Sequence, residues 1–292
     1  MVYASNVRSA PPFDLRVGPI RVRVVDLPEP EEGLAGAWYG AFAHPPSPGT
    51  PDLTVTCHRG RGTVVPLPGP GGATRLEVTR AADGTVEVRS HWQDGKIDTA
   101  RGDAVVVLTD LEPRRLSMSF ENFLRVAAQL VLLEHGAFLL HASAVVERGR
   151  AVAFFGPSGA GKSTAAGLLA PRPMLTDDMI VVDARGPRPR AATVPFRMRF
   201  PAERRHRDPV PLAALLRLRQ AGRHQVSPLP PARAVATVSA SVPYVHELGL
   251  PHAGLTDLVA RVAGSVFVGE LDFRRDAGFW SEVAPLLDST PP

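Results

Sequence analysis

A short glycine-rich loop near the middle of the chain constrains the fold more than any other feature. The sequence GPSGAGKS at 156–163 fits the pattern G-x-x-x-x-G-K-[ST] at every position. The apolar run AVAFF (151–155) precedes it, and KSTAAGLLA (162–170) follows with the composition of a helix. A strand, a glycine loop and a helix in this order predict an α/β fold whose loop binds phosphate groups.

The residue types of this loop match the physical demands of phosphate binding. Glycines allow positive φ and a close approach of the backbone, so that successive N–H groups point into one concavity. The N-terminal end of the following helix adds a positive potential. Lys162 is expected to reach the outer phosphates, and the hydroxyl of Ser163 to ligate Mg²⁺. The chain has only one other lysine, Lys96, and this scarcity supports the interpretation of Lys162 as a functional residue.

Two adjacent carboxylates follow the loop, in the stretch LTDD before the apolar run MIVVD (179–183). Phosphoryl transfer to a hydroxyl needs Mg²⁺ and usually a carboxylate that accepts the proton of the acceptor. Because neighbouring side chains on an extended segment point to opposite sides, Asp177 and Asp178 can serve the metal and the acceptor separately. Their position at the edge of a strand predicts that they lie near the loop. The alternative is a surface pair that caps a turn or begins a strand.

The composition indicates a soluble protein without disulfides. Of the 292 residues 44% are hydrophobic, and the single cysteine, Cys57, excludes an internal disulfide and a thiol-pair redox or zinc site. No apolar run of about 18–20 residues predicts a membrane span, and no signal-peptide pattern is visible, so a cytoplasmic location is expected. The net charge of +4 comes with 33 basic residues, nearly all arginine and mostly spread along the chain, so nucleic acid is not expected as a partner.

The sequence pattern changes near residue 117 and divides the chain into two predicted domains. Residues 1–116 predict a β-rich module of unknown role, because short apolar or alternating segments are separated there by Gly, Pro and Asp. Residues 117–292 predict an α/β domain that carries the loop. The predicted strands are 20–25, 52–57, 74–80, 84–90, 103–110, 137–146, 151–155, 179–183 and 266–273, and the predicted helices run from an N-cap at Ser119 to Gly136 and over 162–170, 211–222, 230–241, 254–264 and 276–287.

The segment LLHASAVVERGRAVAFFGPSGAGKSTAAGLLA (139–170), followed by LTDDMIVV (175–182), resembles the kinase domain of the HPr kinase/phosphorylase family, and specifically its shorter relatives, the HPr-kinase-like serine kinases. His141, the loop and the aspartate pair carry the resemblance, and similar segments farther along extend it over about 117–290. The resemblance implies a P-loop kinase core related to that of ATP-dependent phosphoenolpyruvate carboxykinase. The N-terminal β-rich module lies outside it.

The resemblance implies an enzyme, an ATP- and Mg²⁺-dependent serine kinase. It implies that Asp177 deprotonates a serine-type hydroxyl, that Asp178 and Ser163 serve Mg²⁺, and that Lys162 stabilises the transferring charge. The acceptor class stays open between a protein, a peptide and a small molecule, and self-association into a homo-oligomer is a further implication. The positions implied to hold the ATP phosphates are Gly156, Pro157, Ser158, Gly159, Ala160, Gly161, Lys162, Ser163 and Thr164.

Other positions receive weaker assignments from the same resemblance. His141 is implied to lie beside the phosphates, the alternative being a buried strand histidine bonded to backbone. Arg197 and Arg199 are weaker candidates for contacts to phosphate or substrate. The glutamate-containing glycine-rich stretch of true HPr kinases is missing, which places the carrier protein HPr in doubt as acceptor, and phosphorylase activity with it. Asp183 or Glu203 is left open as a third acid.

Two other function classes compete with the kinase. A transporter-type ATPase shares the loop, but it needs an LSGGQ-like signature and an acidic strand about 100 residues later, and 230–275 contains no good match to either. A non-catalytic module that senses nucleotide or presents a peptide needs only the loop, and the missing glutamate-containing stretch favours it. Binding of ATP without hydrolysis or transfer distinguishes this module from a kinase.

Overall fold

A computed structural model of the chain describes residues 7–67, 76–245, 248 and 252–288, apart from the side chains of 252 and 253. The chain divides into two compact units, Met1–Val131 with Tyr244–Gly249 and Leu132–Pro243 with Leu250–Pro292. The division falls inside a long helix, later in the chain than the boundary at 116 that the sequence predicts. The chain as a whole is mixed α/β, which confirms the predicted fold class at that level.

An eight-stranded mixed sheet forms the first unit. Its elements are β1 (Arg8–Ser9), β2 (Phe13–Val17), β3 (Ile20–Val25), β4 (Pro28–Glu29), α1 (Leu34–Tyr39), β5 (Ala43–His44), β6 (Leu53–Arg59), β7 (Glu77–Arg80), β8 (Val86–Ser90), β9 (Gln93–Asp98), β10 (Asp103–Leu108) and α2 (Pro113–Glu134). Strands β1 and β4 pair separately, and the others lie in the order β5-β2-β3-β6-β10-β9-β8-β7. β6 is parallel to β3 and β10, and the remaining pairs of this sheet are antiparallel.

Alternating burial explains why the strands of this unit were visible in the sequence. In β3 the side chains of Ile20, Val22 and Val24 are fully buried, and the residues between them are partly exposed. Strand β9 was missed because its sequence, QDGKID, is polar. Its Gly95 leaves room for the ring of Phe123 on α2, since a Cβ there would stand 2.4 Å from that ring. Close helix–sheet packing therefore selects a residue that sequence patterns read as a turn.

Helix α2 begins earlier than predicted, so the assignment of Ser119 as its N-cap is wrong. Pro113 occupies the first turn, where its missing N–H costs nothing. The carboxylate of Glu112 accepts hydrogen bonds from the backbone N–H groups of Arg114 (3.1 Å) and Arg115 (3.0 Å), which caps the helix. The residues predicted to face inward are all buried, namely Phe120, Phe123, Leu124, Ala127, Leu130 and Val131.

Helix α2 is also, within the described residues, the one helix that is long and apolar enough to cross a membrane by length and composition. Of its 18-residue apolar window, 78% is buried inside the structure. The core helix of a soluble protein passes the same test, so this is weak evidence for a span. The finding is consistent with the prediction that the chain has no membrane span.

A nine-stranded mixed sheet forms the second unit. Its strands and helices are β11 (Ala137–Leu140), β12 (Ala142–Glu147), β13 (Arg150–Phe155), α3 (Lys162–Leu168), β14 (Met174–Thr176), β15 (Ile180–Asp183), β16 (Arg190–Ala192), β17 (Val210–Gln220), β18 (Gln225–Pro228), α4 (Pro231–Ser239), α5 (His252–Ala263), β19 (Phe267–Phe273) and α6 (Trp280–Val283). The strands lie in the order β11-β15-β16-β17-β13-β12-β14, with β19 beside β17 and β18 beside β19.

Three parallel strands form the centre of this unit, because β17 pairs in parallel with β13 on one side and with β19 on the other. Aromatic side chains from the C-terminal segment pack against them. The ring of Phe279 lies 5.9 Å from that of Phe154 on β13 and 5.7 Å from that of Phe273 on β19. Since the three strands are parallel, their carboxyl ends meet at one edge of the sheet, where ligand sites of α/β folds form.

The prediction of a helix over 211–222 is wrong, because this segment forms the central strand β17. All residues from Leu212 to Leu216 are buried, which agrees with a parallel strand covered on both faces. Such a strand reads as a continuous apolar run, and an apolar run of this length does not distinguish a buried strand from a buried helix. Pairing with strands on both sides overrides the helical preference of the leucines and alanines.

The remaining predicted elements fall into three groups. The helices at 230–241 and 254–264 and the strands at 151–155, 179–183 and 266–273 are confirmed within one to three residues at each end. The predicted strand 137–146 is two strands, since His141 separates β11 from β12, and the predicted helix 276–287 is α6 flanked by two 3-10 turns, Ala277–Phe279 and Ala284–Leu287. Residues 74 and 75 of the predicted strand 74–80 lie outside the described residues.

Candidate functional site

The glycine-rich loop joins β13 to α3 at the carboxyl edge of the parallel strands. Gly156, Gly159 and Gly161 have φ of 138°, 79° and 101°, which side-chain-bearing residues rarely adopt. Helix α3 begins at Lys162, directly after Gly161. The backbone therefore turns as a phosphate-binding loop requires, with a helix N-terminus at its end.

The ends of two neighbouring parallel strands, β17 and β19, contact this loop. Gln220, the last residue of β17, donates from Nε2 to the carbonyl of Gly159 at 3.0 Å. Phe273, the last residue of β19, packs closely against Gly161, since a Cβ at Gly161 would stand 2.8 Å from its ring. No local sequence pattern predicts these two contacts, because they depend on the order of the strands in the sheet.

Replacing Gly161 with alanine is expected to destabilise the protein by about 1–3 kcal/mol and to weaken nucleotide binding. The new methyl group meets Phe273, and alanine disfavours a φ of 101°. Urea unfolding and titration with ATP measure the two effects. Gly254→Ala in α5 is the matched control, since no atom lies within 4 Å of its Cβ position and alanine favours a helix. Equal behaviour of the two variants would contradict the tight packing of the loop.

Lys162 is buried inside the loop that precedes it. Its Nζ donates to the carbonyl of Gly156 at 2.9 Å and to that of Pro157 at 3.2 Å. Only 7% of the residue is exposed. Burial lowers the pKa of Lys162, and the negative charge of Asp178 opposes this shift. The lysine is thus fixed at the start of the loop, in the electrostatic field of the acidic pair.

The structure brings the acidic pair next to the loop. The hydroxyl of Ser163 donates to the carbonyl of Asp177 at 3.2 Å, which joins the first turn of α3 to the end of β14. The carboxylate of Asp178 lies 3.3 Å from Nε2 of His141. The hydroxyl of Thr176 accepts from the backbone N–H of Asp178 at 3.3 Å and shapes this turn. Residues far apart in the sequence therefore form one polar cluster.

The two carboxylates of the pair have different surroundings. Asp177 is only 3% exposed, and its Oδ1 accepts from the backbone N–H of Arg199 at 3.3 Å. Burial raises the pKa of Asp177, the N–H of Arg199 opposes the rise, and the neighbouring charge of Asp178 adds to it. The side chain of Asp178 is 39% exposed. Asp178 is thus the more exposed carboxylate, and Asp177 is the buried one, whose pKa is raised.

The other predicted site residues lie farther from this cluster or touch it through the backbone. Arg199 contacts Asp177 with its N–H, while its side chain and that of Arg197 are exposed. Asp183 stands at the far end of β15 and pairs with Arg185 at 2.9 Å. Glu203 is exposed in a 3-10 turn, Ala202–Arg204. The choice between Asp183 and Glu203 as a third acid stays a prediction.

The polar cluster offers ligands for one magnesium ion. Within the described parts of the chain, no three His, Cys, Asp or Glu side chains group together as a metal site. Mg²⁺ is commonly bound by one or two protein ligands together with substrate phosphates and water. Asp178 supplies an open carboxylate and Ser163 a hydroxyl directed at the same turn. The donor set fits Mg²⁺ that arrives with a nucleotide.

A cleft of about 460 Å³ opens beside the start of the loop. Its position was not predicted, because it depends on the strand β17 and on the chain after α4. It is lined by His141, Gly156, Pro157, Ser158, Arg217, Thr237, Ala240, Ser241, Val242 and Pro243.

Comparison with protein families gives a match over the middle of the chain. Residues 110–257, just over half of the 292-residue chain, match the family described as SynChlorMet cassette protein ScmC. The chain belongs to this family. The matched ScmC region includes the loop, the acidic pair, His141 and Arg217. No curated protein gives a match to the chain.

Proposed function

We propose that the chain is an ATP- and Mg²⁺-dependent kinase with an HPr-kinase-like P-loop core, which transfers the γ-phosphoryl group to a serine-type hydroxyl. The observation that carries this proposal is the single cluster of Lys162, Ser163, Asp178 and His141. The carboxylate of Asp178 lies 3.3 Å from Nε2 of His141, and the hydroxyl of Ser163 donates to the carbonyl of Asp177 at 3.2 Å. The negative charge of Asp178 also acts on the ammonium group of Lys162. One carboxylate is enough to hold Mg²⁺ with a bound nucleotide, so the second carboxylate, Asp177, favours transfer over binding alone.

The residues of the cluster supply the electrostatic parts of the reaction. The N–H groups of the loop and the N-terminus of α3 hold the phosphates of ATP, and Lys162 exchanges its two loop carbonyls for the outer phosphate oxygens. Bound Mg²⁺ neutralises charge between the phosphates. Ser163 and Asp178 would hold this ion, and His141 orients the carboxylate of Asp178.

The proposal allows two assignments of the group that accepts the acceptor's proton. In the first, Asp177 takes the proton, which its raised pKa favours, but its burial requires the segment around Arg199 to move aside. In the second, the exposed Asp178 takes the proton itself. The two assignments predict different responses to magnesium when Asp178 is replaced. A higher Mg²⁺ concentration restores the transfer rate if Asp178 only binds the metal, but not if Asp178 accepts the proton.

Incubation of the protein with γ-labelled ATP and a panel of hydroxyl-bearing acceptors tests the proposal. We expect label to pass to at least one protein, peptide or small-molecule acceptor in the presence of Mg²⁺, and none when the metal is chelated. Isothermal titration with ATP is run in parallel. Binding of ATP without transfer to any acceptor would support the nucleotide-sensing alternative, and the absence of both would contradict any role of the loop.

A further inference from the structure

The cleft beside the loop has walls from four parts of the second unit. His141 lies between β11 and β12, the loop contributes Gly156 to Ser158, and β17 contributes Arg217. The end of α4 and the residues after it, from Thr237 to Pro243, form the remaining wall. The backbone N–H of His141 donates to the carbonyl of Ser241 at 2.9 Å, so two of these walls are bonded together.

The position of Lys162 shows which end of a bound nucleotide this cleft would face. The lysine of such a loop reaches the outer phosphates. Its Nζ lies at the carbonyls of Gly156 and Pro157, and both residues line the cleft. His141, which contacts Asp178, lines it too. The cleft therefore adjoins the transferring phosphate and the carboxylates, where an acceptor hydroxyl must arrive.

The charge of the cleft comes from Arg217. None of the described residues that line it is an Asp or a Glu. Arg217 donates from Nη1 to Glu270 at 2.8 Å, but the same carboxylate also pairs with Arg219 at 3.3 Å and Arg233 at 3.7 Å. Three guanidinium groups thus share Glu270, which is 11% exposed on its side chain. Arg219 also donates to both carboxylate oxygens of Asp272, so two carboxylates face three guanidinium groups. The positive charge is therefore not fully neutralised, and the planar guanidinium of Arg217 keeps further N–H donors for an anion.

We propose that the cleft binds the phosphate acceptor, and that this acceptor carries a carboxylate a few ångströms from the reacting hydroxyl, held by Arg217. The inference rests on the proposed phosphoryl transfer and deepens it. The carboxylate is either the α-carboxylate of a free hydroxy amino acid or the side chain of an acidic residue next to a serine in a peptide. A cleft of about 460 Å³ accommodates either, since small-ligand sites span about 300–1,000 Å³.

Equilibrium binding of matched probe pairs tests this proposal without requiring turnover. The first pair is L-serine and L-serinamide, and the second is the blocked tetrapeptides Gly-Ser-Asp-Gly and Gly-Ser-Asn-Gly. Each is titrated into the full chain with Mg²⁺ and a non-hydrolysable ATP analogue. We expect the carboxylate member of at least one pair to bind about 10- to 100-fold more tightly than its amide, as a charge-assisted hydrogen bond implies. The responding pair identifies the source of the carboxylate.

Variants of two neighbouring arginines make the test specific. Arg217→Gln is expected to remove the preference for the carboxylate probe, and it leaves Glu270 paired with Arg219 and Arg233. Arg219→Gln is the control on the same strand, because it removes an equal charge that also pairs with Glu270 but does not line the cleft. It releases Asp272 as well, and thermal unfolding shows the effect of that loss on the fold. Arg219→Gln is expected to keep the preference. Thermal unfolding checks that both variants are folded. If Arg217→Gln does not fold, Arg217→Lys takes its place. This variant is expected to lose most of the preference for the carboxylate probe, because lysine lacks the planar fork of donors.

Equal affinity of the wild-type chain for acid and amide in both pairs would overturn the proposal. A preference that survives in Arg217→Gln, or that disappears equally in Arg219→Gln, would overturn it as well. The kinase assignment fails separately: a carboxylate preference that depends on Arg217, in a chain that never transfers label from ATP, supports the acceptor site as a binding site and removes only the reaction.

Discussion

Replacing Asp178 with asparagine is expected to lower phosphoryl transfer by about 10²- to 10⁴-fold, the range over which acid–base and metal-ligand carboxylates contribute. The reason is position, since Asp178 is the exposed member of the pair, contacts His141 at 3.3 Å and acts on the buried charge of Lys162. The fold is expected to persist. The turn is held by the backbone N–H of Asp178 and the hydroxyl of Thr176, and asparagine keeps that N–H.

Initial rates of transfer from labelled ATP measure this effect, and a magnesium titration assigns its cause. Recovery of the rate at high Mg²⁺ identifies Asp178 as a metal ligand, with Asp177 left to accept the proton. A loss that Mg²⁺ does not restore identifies Asp178 as the proton acceptor. Asp183→Asn is the matched control at the opposite end of β15, where it removes the ion pair with Arg185. A wild-type rate in Asp178→Asn would refute the proposed chemistry.

Replacing Lys162 with methionine is expected to lower transfer by about 10²- to 10³-fold, as the loss of one preorganised charge does in other sites. Stability is expected to stay within about 1–2 kcal/mol of the wild type, because two changes oppose each other. The carbonyls of Gly156 and Pro157 lose their donor, and a buried ammonium is removed. Transfer assays and urea unfolding of the same preparations separate catalysis from folding.

The chain contains an unusually direct control for this substitution, because its only other lysine is Lys96. Lys96 lies on β9 in the first unit, pairs with Asp83 at 3.2 Å and has a side chain that is 53% exposed. Lys96→Met therefore makes the same chemical change at a surface ion pair, where it is expected to leave transfer unchanged. A comparable loss of transfer in both variants would mean that net charge, and not the phosphate loop, governs the rate.

The loop and the acidic pair could be predicted from sequence because each is encoded locally. Glycines at fixed spacing allow the positive φ values at Gly156, Gly159 and Gly161. A lysine and a serine directly after such a loop, at the start of a helix, are typical of phosphate and Mg²⁺ binding. The proximity of Asp177 and Asp178 to the loop followed from the general rule that sites gather at strand ends. The roles of these residues stay predictions.

The rest depended on contacts between distant segments. The sequence predicts a helix where β17 lies, because a leucine-rich apolar run carries no sign of its two neighbouring strands. The support from Gln220 and the cleft with Arg217 both depend on that strand, so they could not be found. The start of α2 is encoded locally, because Glu112 and Pro113 form a recognisable N-terminal signal for a helix.

The engagement of Lys162 with the carbonyls of Gly156 and Pro157 has a consequence for anion selectivity. An anion that binds Lys162 must replace the two carbonyl oxygens that already accept hydrogen bonds from its ammonium group. A lone sulfate or inorganic phosphate can accept from fewer N–H groups of the loop than a triphosphate could, so it would gain less from this exchange. We therefore expect the loop to prefer a triphosphate over abundant small anions.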